Sequence, residues 1–396
     1  MSARLALVDV SSEMSGVEFS TLYLAQNLER THWSPLVICP GEGELPQLCR
    51  QNEIDVLIVP LTRLVATSVR LRGRRIPNPF ALAWNALSFA ITARRLAPIL
   101  EREQIRLVVT KGLLAHYYGG LAARWARIPC VWHVQDRVSE RAGALFPTLL
   151  SIGARVLARR VIADANSIAR QLDIAMPRDR VNVVWNGVDT REFSPEMDGT
   201  RVRAEWTHAP DALLIGVIAR LVAWKGQHVL LKAMVQLGNE FPNARVILVG
   251  SALFDTDEYA QSLKTETTRL GLGERVVFAG FRSDMPEALA ALDVVAHTAL
   301  EKDSTPLAVV SAMASGKAIV CSAVDGTAEL FEEGVNGLLF PPGDANALVN
   351  QLRLVLGDSA LRARLGQNAR EFAERELSVE QFTRKCESVF ERALEN

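Results

Sequence analysis

The chain has 396 residues, of which 49% are hydrophobic and 22% charged, a globular composition that excludes disordered, collagen-like and fibrous classes. Its formal charge of −1 excludes a strongly basic nucleic-acid binder, and 6% aromatic residues leave little surface for stacking. At roughly 100–200 residues per domain, this length predicts about two domains. In chain order, Arg4–Val10 reads as a strand, followed by a loop with Gly16 and a helix over Phe19–Arg30. Next come the strand Ser34–Cys39, a helix near Leu45–Asn52 and the strand Val56–Pro60. A long helix over Ala81–Glu103 precedes the strand Leu107–Thr110, the helix His116–Arg127 and the strand Pro129–Val134. Apolar runs without polar alternation suit strands buried on both faces, hence a parallel sheet covered by helices.

The pattern restarts after about residue 195. Leu213–Ala219, Arg245–Gly250, Arg275–Ala279, Val294–His297 and Ala318–Ser322 are predicted strands with helices between them. Phe193–Pro210, with two prolines and mixed charge, reads as the junction. Polar helical stretches follow at Ala345–Gly357, Ser359–Arg375 and Ser378–Leu394. The expected class is therefore α/β, with two doubly wound, Rossmann-like domains and a cleft between them as the place for a ligand. The boundaries expected are 1–193, 194–375 and a C-terminal helix at 376–396 that packs back on the first domain.

Residues 1–195 hold 24 Lys+Arg against 17 Asp+Glu, so the first half is basic and the second acidic. That suits an anionic partner, such as a phosphorylated lipid or an anionic membrane surface, or is an uneven split without function. Cys39, Cys49, Cys130, Cys321 and Cys386 are scattered, with no CxxC or His/Cys cluster, so reduced thiols in a cytoplasmic protein are expected and a metal site is not. The N-terminus lacks the length and cleavage site of a signal peptide, and no run of about 18 uncharged apolar residues spans a membrane.

Three loops after strands carry chemistry. In Ala219–Gly226 (ARLVAWKG), Arg220 and Lys225 bracket a turn between a strand and a helix, where two cations can hold a diphosphate; each alone is also an ordinary surface charge. No GxxxxGK[ST] run is present, which excludes a P-loop. In the second loop, Glu301, Lys302, Asp303, Ser304, Thr305, Pro306 and Leu307 precede a helix from about Ala308. Free N–H groups at such a helix start favour a phosphate or a sugar hydroxyl, and Asp303 can accept from hydroxyls; a plain helix cap at Asp303 or Ser304 is the alternative. In Val324–Gly343, Gly326 either admits a ligand to the backbone or makes a turn.

In this order and spacing, these segments resemble the C-terminal half of glycosyltransferase family 4, retaining enzymes of the GT-B fold that use nucleotide-sugar donors. The residues that carry the resemblance are Ala219-Arg220-Leu221 with Lys225-Gly226, Asp303 to Leu307 with Ser311 to Lys317, Asp325 to Leu330 and Gly334 to Leu339, preceded by Asn186-Gly187-Val188-Asp189. The resemblance covers about residues 1–345 and is sharpest after residue 180. It implies that Arg220 and Lys225 bind the donor diphosphate, that Asp303 holds sugar hydroxyls, and that N–H groups at Thr305–Leu307 meet sugar and phosphate. It further implies that the loop after Gly250 and the chain at Phe281 and Arg282 cradle the base. No metal or other cofactor is implied, because cations and helix N-termini stabilise the leaving diphosphate. One departure is Ser311, where the family has a second Glu on the ribose; a hydroxyl cannot form the bidentate clamp of a carboxylate, a loss of about 1–3 kcal/mol of donor grip.

In the first half, Ser15-Gly16-Val17-Glu18 keeps the second glycine and the acid of the family's Gly-Gly loop, and Gly16 is expected to admit phosphate or acceptor. His133 or Gln135, on one face of a strand, faces the donor sugar by resemblance, with a core histidine as the alternative and His116 as a further cleft candidate. Arg63–Arg75, with five arginines, and the apolar Gly143–Arg160 suit either an acceptor and membrane face or core with a charged edge. The reading is transfer of a sugar, with retained configuration, from a nucleoside diphosphate sugar to a hydroxyl of a glycan, a lipid-linked or a small-molecule acceptor, as in polysaccharide biosynthesis. No nucleic acid is expected, and peripheral contact at the inner face of the membrane is. A nucleotide-sugar epimerase of the same architecture and a non-catalytic sugar-nucleotide binder are the alternatives; isomerisation of donor alone marks the first and binding without nucleotide release the second.

Overall fold

The computed structural model describes residues 2–62, 65, 68–71, 74–138, 145–252, 257–301 and 303–395. The chain divides into two units, Met1–Val184 with Thr383–Asn396, and Trp185–Phe382.

The first unit runs β1 (Ala3–Val8), α1 (Gly16–Asn27), β2 (Trp33–Cys39), α2 (Glu44–Gln51), β3 (Asp55–Ile58), β4 (Ser68–Leu71), β5 (Arg74–Pro77), α3 (Pro79–Arg102), β6 (Leu107–Lys111), α4 (Leu113–Trp125), β7 (Cys130–Val134), α5 (Leu145–Leu157), β8 (Arg160–Ala163), α6 (Asn166–Arg170) and β9 (Val181–Val183). Seven strands form a sheet in the order β3-β2-β1-β6-β7-β8-β9, every pair parallel. Strands β1, β2, β6 and β7 are buried along most of their length, as their uninterrupted Val, Leu and Ile runs require. Helix α3 starts where Asn78 accepts hydrogen bonds from the N–H groups of Phe80 and Ala81, with Pro79 in the first turn where no N–H is needed.

The second unit runs α7 (Thr200–Trp206), β10 (Leu213–Ile218), α8 (Gln227–Leu237), β11 (Ala244–Val249), α9 (Glu258–Arg269), β12 (Val276–Gly280), α10 (Met285–Ala290), β13 (Val294–His297), α11 (Leu307–Ala314), β14 (Ala318–Ser322), α12 (Asp325–Ala328), β15 (Leu338–Phe340), α13 (Ala345–Gly357) and α14 (Ser359–Glu376). Its six parallel strands lie in the order β12-β11-β10-β13-β14-β15. The last helix, α15 (Val379–Leu394), contributes Phe390 to the first unit, where its ring meets Trp33 edge-on.

Each sheet reverses direction beside its first strand, at β1/β6 and at β10/β13. A reversal of this kind leaves a crevice at the carboxyl ends of the two strands, because their following helices go to opposite faces. Sequence reading missed β8, β9 and the hairpin β4–β5. Strands of three or four residues with Arg or Asn among them leave no apolar run to recognise. Helix α7 lies inside the expected junction and is held there by Arg203, whose Nη1 donates to Ala291 O at 2.7 Å and meets Asp293 at 3.0 Å. The expected basic stretch Arg63–Arg75 includes Arg63, Leu64, Ala66, Thr67, Arg72 and Gly73, which lie outside the described residues, as do residues 139–144 and Lys302.

Candidate functional site

Strand β10 ends at Ile218, and the loop to α8 closes in a 3-10 turn, Ala223–Lys225. Gly226 then takes φ +69, and a Cβ there would lie 2.1 Å from Thr298 O, so only glycine fits between this turn and the end of β13. The neighbouring loop is equally tight: Gly250 has φ +136, and its Cβ would meet Ala219 O at 2.1 Å. Leu221 N donates to Ser251 O at 2.9 Å, and Gln227 Nε2 to Arg220 O at 2.8 Å. The loop is therefore fixed by its backbone, with its side chains left to do other work.

These turns deliver Lys225 to the β10/β13 reversal. Its ammonium pairs with Oδ2 of Asp303, and it lies 4.4 Å from the centre of the Trp224 ring. His297, the last residue of β13, places Nε2 3.1 Å from the same Oδ2. Lys225 and Asp303 are each 12% exposed, so the pair is screened from bulk water but still open to it. Burial alone would raise the Asp303 carboxyl; the charges of Lys225 and His297 outweigh it and hold the group down at about 2. Asp303 is thus an acceptor at neutral pH; among the described residues its side-chain contacts fall on Oδ2, which leaves Oδ1 for another donor.

The Asp303–Leu307 loop is held from two other motifs. Thr327, in α12, donates to Asp303 O through its N–H at 3.2 Å and its hydroxyl at 3.0 Å. Asn186 donates to Thr305 O at 3.1 Å. Asn186 and Thr327, both buried, thereby act as braces for the loop beside Lys225. Thr305 is buried, while Ser304, Pro306 and Leu307 are half-buried where α11 begins. Ser311 sits one turn into α11 and is 5% exposed. Arg220 is half-buried, and no carboxylate pairs with it among the described residues.

Arg282 is committed differently. Its guanidinium bonds Asp284 through Nε at 2.8 Å and Nη2 at 2.7 Å, and Glu205 through Nη1 at 2.7 Å, above the Trp206 ring. These bonds push the Arg282 value up and the Asp284 value down, and they tie the loop after β12 to α7. Phe281 beside it is exposed.

In the first unit the reversal at β1/β6 also gathers charges. Asp9 follows β1, Lys111 ends β6 and Glu18 lies in the first turn of α1; each is at most 2% exposed. Lys111 Nζ donates to Ser20 Oγ at 2.8 Å, Thr21 donates to Asp9, and Ser15 donates to Glu18. Burial pushes the Lys111 ammonium down to about 8, and burial with the nearby Asp9 charge raises Glu18 to about 7; Asp9 is also raised, chiefly by burial. Gly16 opens α1, where a Cβ would meet nothing within 4 Å. His133 is fully buried in β7, opposite Lys111, and burial with that charge drives its value far down. Gln135 lies just past the strand and is half-buried. His116 stacks on Trp132 at 4.8 Å and bonds Thr110 at 2.8 Å, a core role.

Sequence reading therefore picked out Lys225 and Asp303, which meet, and missed His297, Asp9 and Lys111. A histidine closing the strand six residues before Asp303 was the available signal for His297. Asp9 and Lys111 are separated by about a hundred residues, and only the strand order brings them together.

Known proteins resemble this chain along its length. The family described as Glycosyltransferase Family 4 matches residues 14–192, and that described as Glycosyl transferases group 1 matches residues 198–372. The glycosyltransferase MJ1607 of Methanocaldococcus jannaschii, itself uncharacterized, is 24% identical over 339 residues, 82% of this chain and 84% of its own. The lipopolysaccharide core biosynthesis mannosyltransferase LpsB of Rhizobium meliloti is 27% identical over 287 residues, 66% of this chain and 80% of its own. The crystal structure of Anabaena Alr3699/HepE in complex with UDP-glucose is 27% identical, with a TM-score of 0.83 over 98% of this chain and 99% of its own. Both halves of the chain and both parallel sheets thus lead to one conclusion: it belongs to the group 1, family 4 glycosyltransferases and is a transferase enzyme of the GT-B fold.

Proposed function

We propose that this enzyme takes a sugar from a nucleoside diphosphate sugar and passes it to an acceptor hydroxyl with retained configuration. The observation that carries the reading is the Lys225–Asp303–His297 cluster at the β10/β13 reversal, beside an Arg220 with no carboxylate partner among the described residues. Two cations near a helix start suit the donor diphosphate, and they stabilise the charge that grows on it as the sugar leaves. Asp303, kept ionised, accepts from sugar hydroxyls through Oδ1. N–H groups at the start of α11, around Thr305–Leu307, meet sugar or phosphate, with Ser304 and Pro306 shaping that turn. The leaving diphosphate takes the acceptor proton on the same face of the sugar.

HepE, whose crystal structures hold UDP and UDP-glucose, supports a uridine donor as the first to test. The base is proposed to lie near Gly250 and Phe281, with Arg282 shaping that wall through its carboxylate bonds rather than reaching for the ligand. Ser311 stands on the donor side as a single hydroxyl. In the first unit, His133 or Gln135 is proposed to face the donor sugar, and Gly16 to admit phosphate or acceptor to the backbone.

Exposed apolar stripes support a peripheral membrane contact and a lipid-linked or glycan acceptor on the cytoplasmic side. Phe80, Trp84 and Leu87 on α3, and Leu149, Ile152 and Val156 on α5, are exposed large hydrophobic residues, with Arg94, Arg95 and Arg155 exposed on the same helices. No described helix is long and apolar enough to cross a membrane. The test is a thermal-shift and turnover screen of nucleoside diphosphate sugars. A true donor at about 100 times its dissociation constant should stabilise the fold by roughly 2.7 kcal/mol and release its nucleoside diphosphate only when an acceptor is added. A screen in which no nucleoside diphosphate sugar binds overturns the reading.

A further inference from the structure

At the amino ends of β8 and β9, on the edge of the first unit's sheet opposite its β1/β6 reversal, lies a cavity of about 430 Å³. It is lined by four arginines, Arg159, Arg160, Arg180 and Arg392, and by two carboxylates, Asp179 and Glu395. We propose that this cavity is an accessory site for a phosphate-bearing anion, separate from the donor site of the second unit.

Three of the arginines are held by backbone carbonyls. Arg159 Nη2 donates to Glu395 O at 2.7 Å, Arg160 Nη1 to Asp179 O at 3.1 Å, and Arg392 Nε to Ser388 O at 3.0 Å. Each bond uses one of five guanidinium N–H groups and goes to a backbone carbonyl, which carries no full charge. Among the described residues, no carboxylate forms an ion pair with any of the four, although two line the same cavity. Elsewhere in the chain exposed arginines do find carboxylates, as Arg50 finds Glu42 in the first unit and Arg353 finds Glu240 in the second. Four guanidinium groups against two carboxylates leave an excess of positive charge around one cavity, and an anion that takes bidentate hydrogen bonds offsets it. Phosphate oxygens fit that geometry, and the volume admits a diphosphate or a lipid headgroup. The basic excess of the first half of the chain favours the approach of such an anion.

Titration calorimetry with inorganic pyrophosphate tests the site. The wild-type protein should bind at two sites, and the double variant Arg180→Ala, Arg392→Ala should weaken one of them at least tenfold while UDP binding is unchanged. Lys225→Ala should do the reverse. The single variant Arg180→Ala, at an exposed residue, guards against misfolding and should weaken the same site about threefold. Sedimentation with phosphatidylglycerol vesicles, against phosphatidylcholine, separates the sources: if the double variant loses pyrophosphate alone the ligand is a free phosphate compound, and if it loses both the ligand includes a headgroup. Either result supports the site. A folded double variant that binds pyrophosphate with wild-type stoichiometry and affinity overturns it.

Discussion

The two sheets reverse at equivalent strands and put a lysine and a carboxylate at each reversal, yet the two pairs differ in access to water. In the second unit Lys225 and Asp303 are each 12% exposed, whereas in the first Lys111 is fully buried with Asp9 and Glu18. The glycines differ as well. Gly226 and Gly250 stand where a Cβ would meet backbone oxygen, while Gly16 faces open space. A charge that water still reaches keeps its ionisation and can serve a ligand. A charge sealed from water is pushed towards its neutral form, as the rise of Glu18 and the fall of Lys111 reflect. Topology selects where charges gather, and burial selects what they do.

The largest effect is expected where the accessible pair is broken. Lys225→Ala should lower turnover by about a hundredfold or more, the usual result of removing a donor that stabilises a leaving oxyanion. It should also lower the melting temperature, because the Asp303 carboxylate loses its lysine and, among the described residues, keeps His297 as its charged partner. Steady-state kinetics well below that temperature read the first effect, and turnover equal to wild type would remove Lys225 from the donor site.

Next come the glycines. Gly226→Ala and Gly250→Ala should each cost roughly 1–3 kcal/mol from left-handed backbone strain, and more from the overlap with Thr298 O or Ala219 O. Urea titration measures this.

The buried cluster predicts a pH dependence of smaller size. Glu18 titrates at about 7 in the folded chain against an ordinary 4.5, so the folded protein keeps a proton that the unfolded chain releases in between. Its contribution is present in full below about pH 4.5 and is lost as pH rises through about 7. Stability followed from pH 5 to 8 should fall through this group, and Glu18→Gln should flatten the fall. The same slope in both proteins would show that Glu18 is not its source. Gly16→Ala should change stability least, by less than about 1 kcal/mol and towards greater stability, since it replaces glycine at a helix start with open space around it.

Much of the second unit was legible. The loops with Arg220, Lys225 and Asp303 follow strongly apolar strands, so their place at the carboxyl ends could be read directly. Asn186 and Thr327 stood in recognisable motifs, but their work as braces for Thr305 and Asp303 was not visible, because it depends on hydrogen bonds across 119 and 24 residues. Arg282 carried a binding expectation that sequence could not weigh against Glu205, 77 residues earlier.

Apolar periodicity and punctuation by glycine and proline, which act within a few residues, determined the α/β class, the two-part organisation and the loops where chemistry should sit. Strand order alone decided which charges meet: Asp9 with Lys111, and Lys225 with Asp303 and His297. It also decided how much water each pair keeps, because exposure depends on every segment packed around a group and not on its neighbours in the chain.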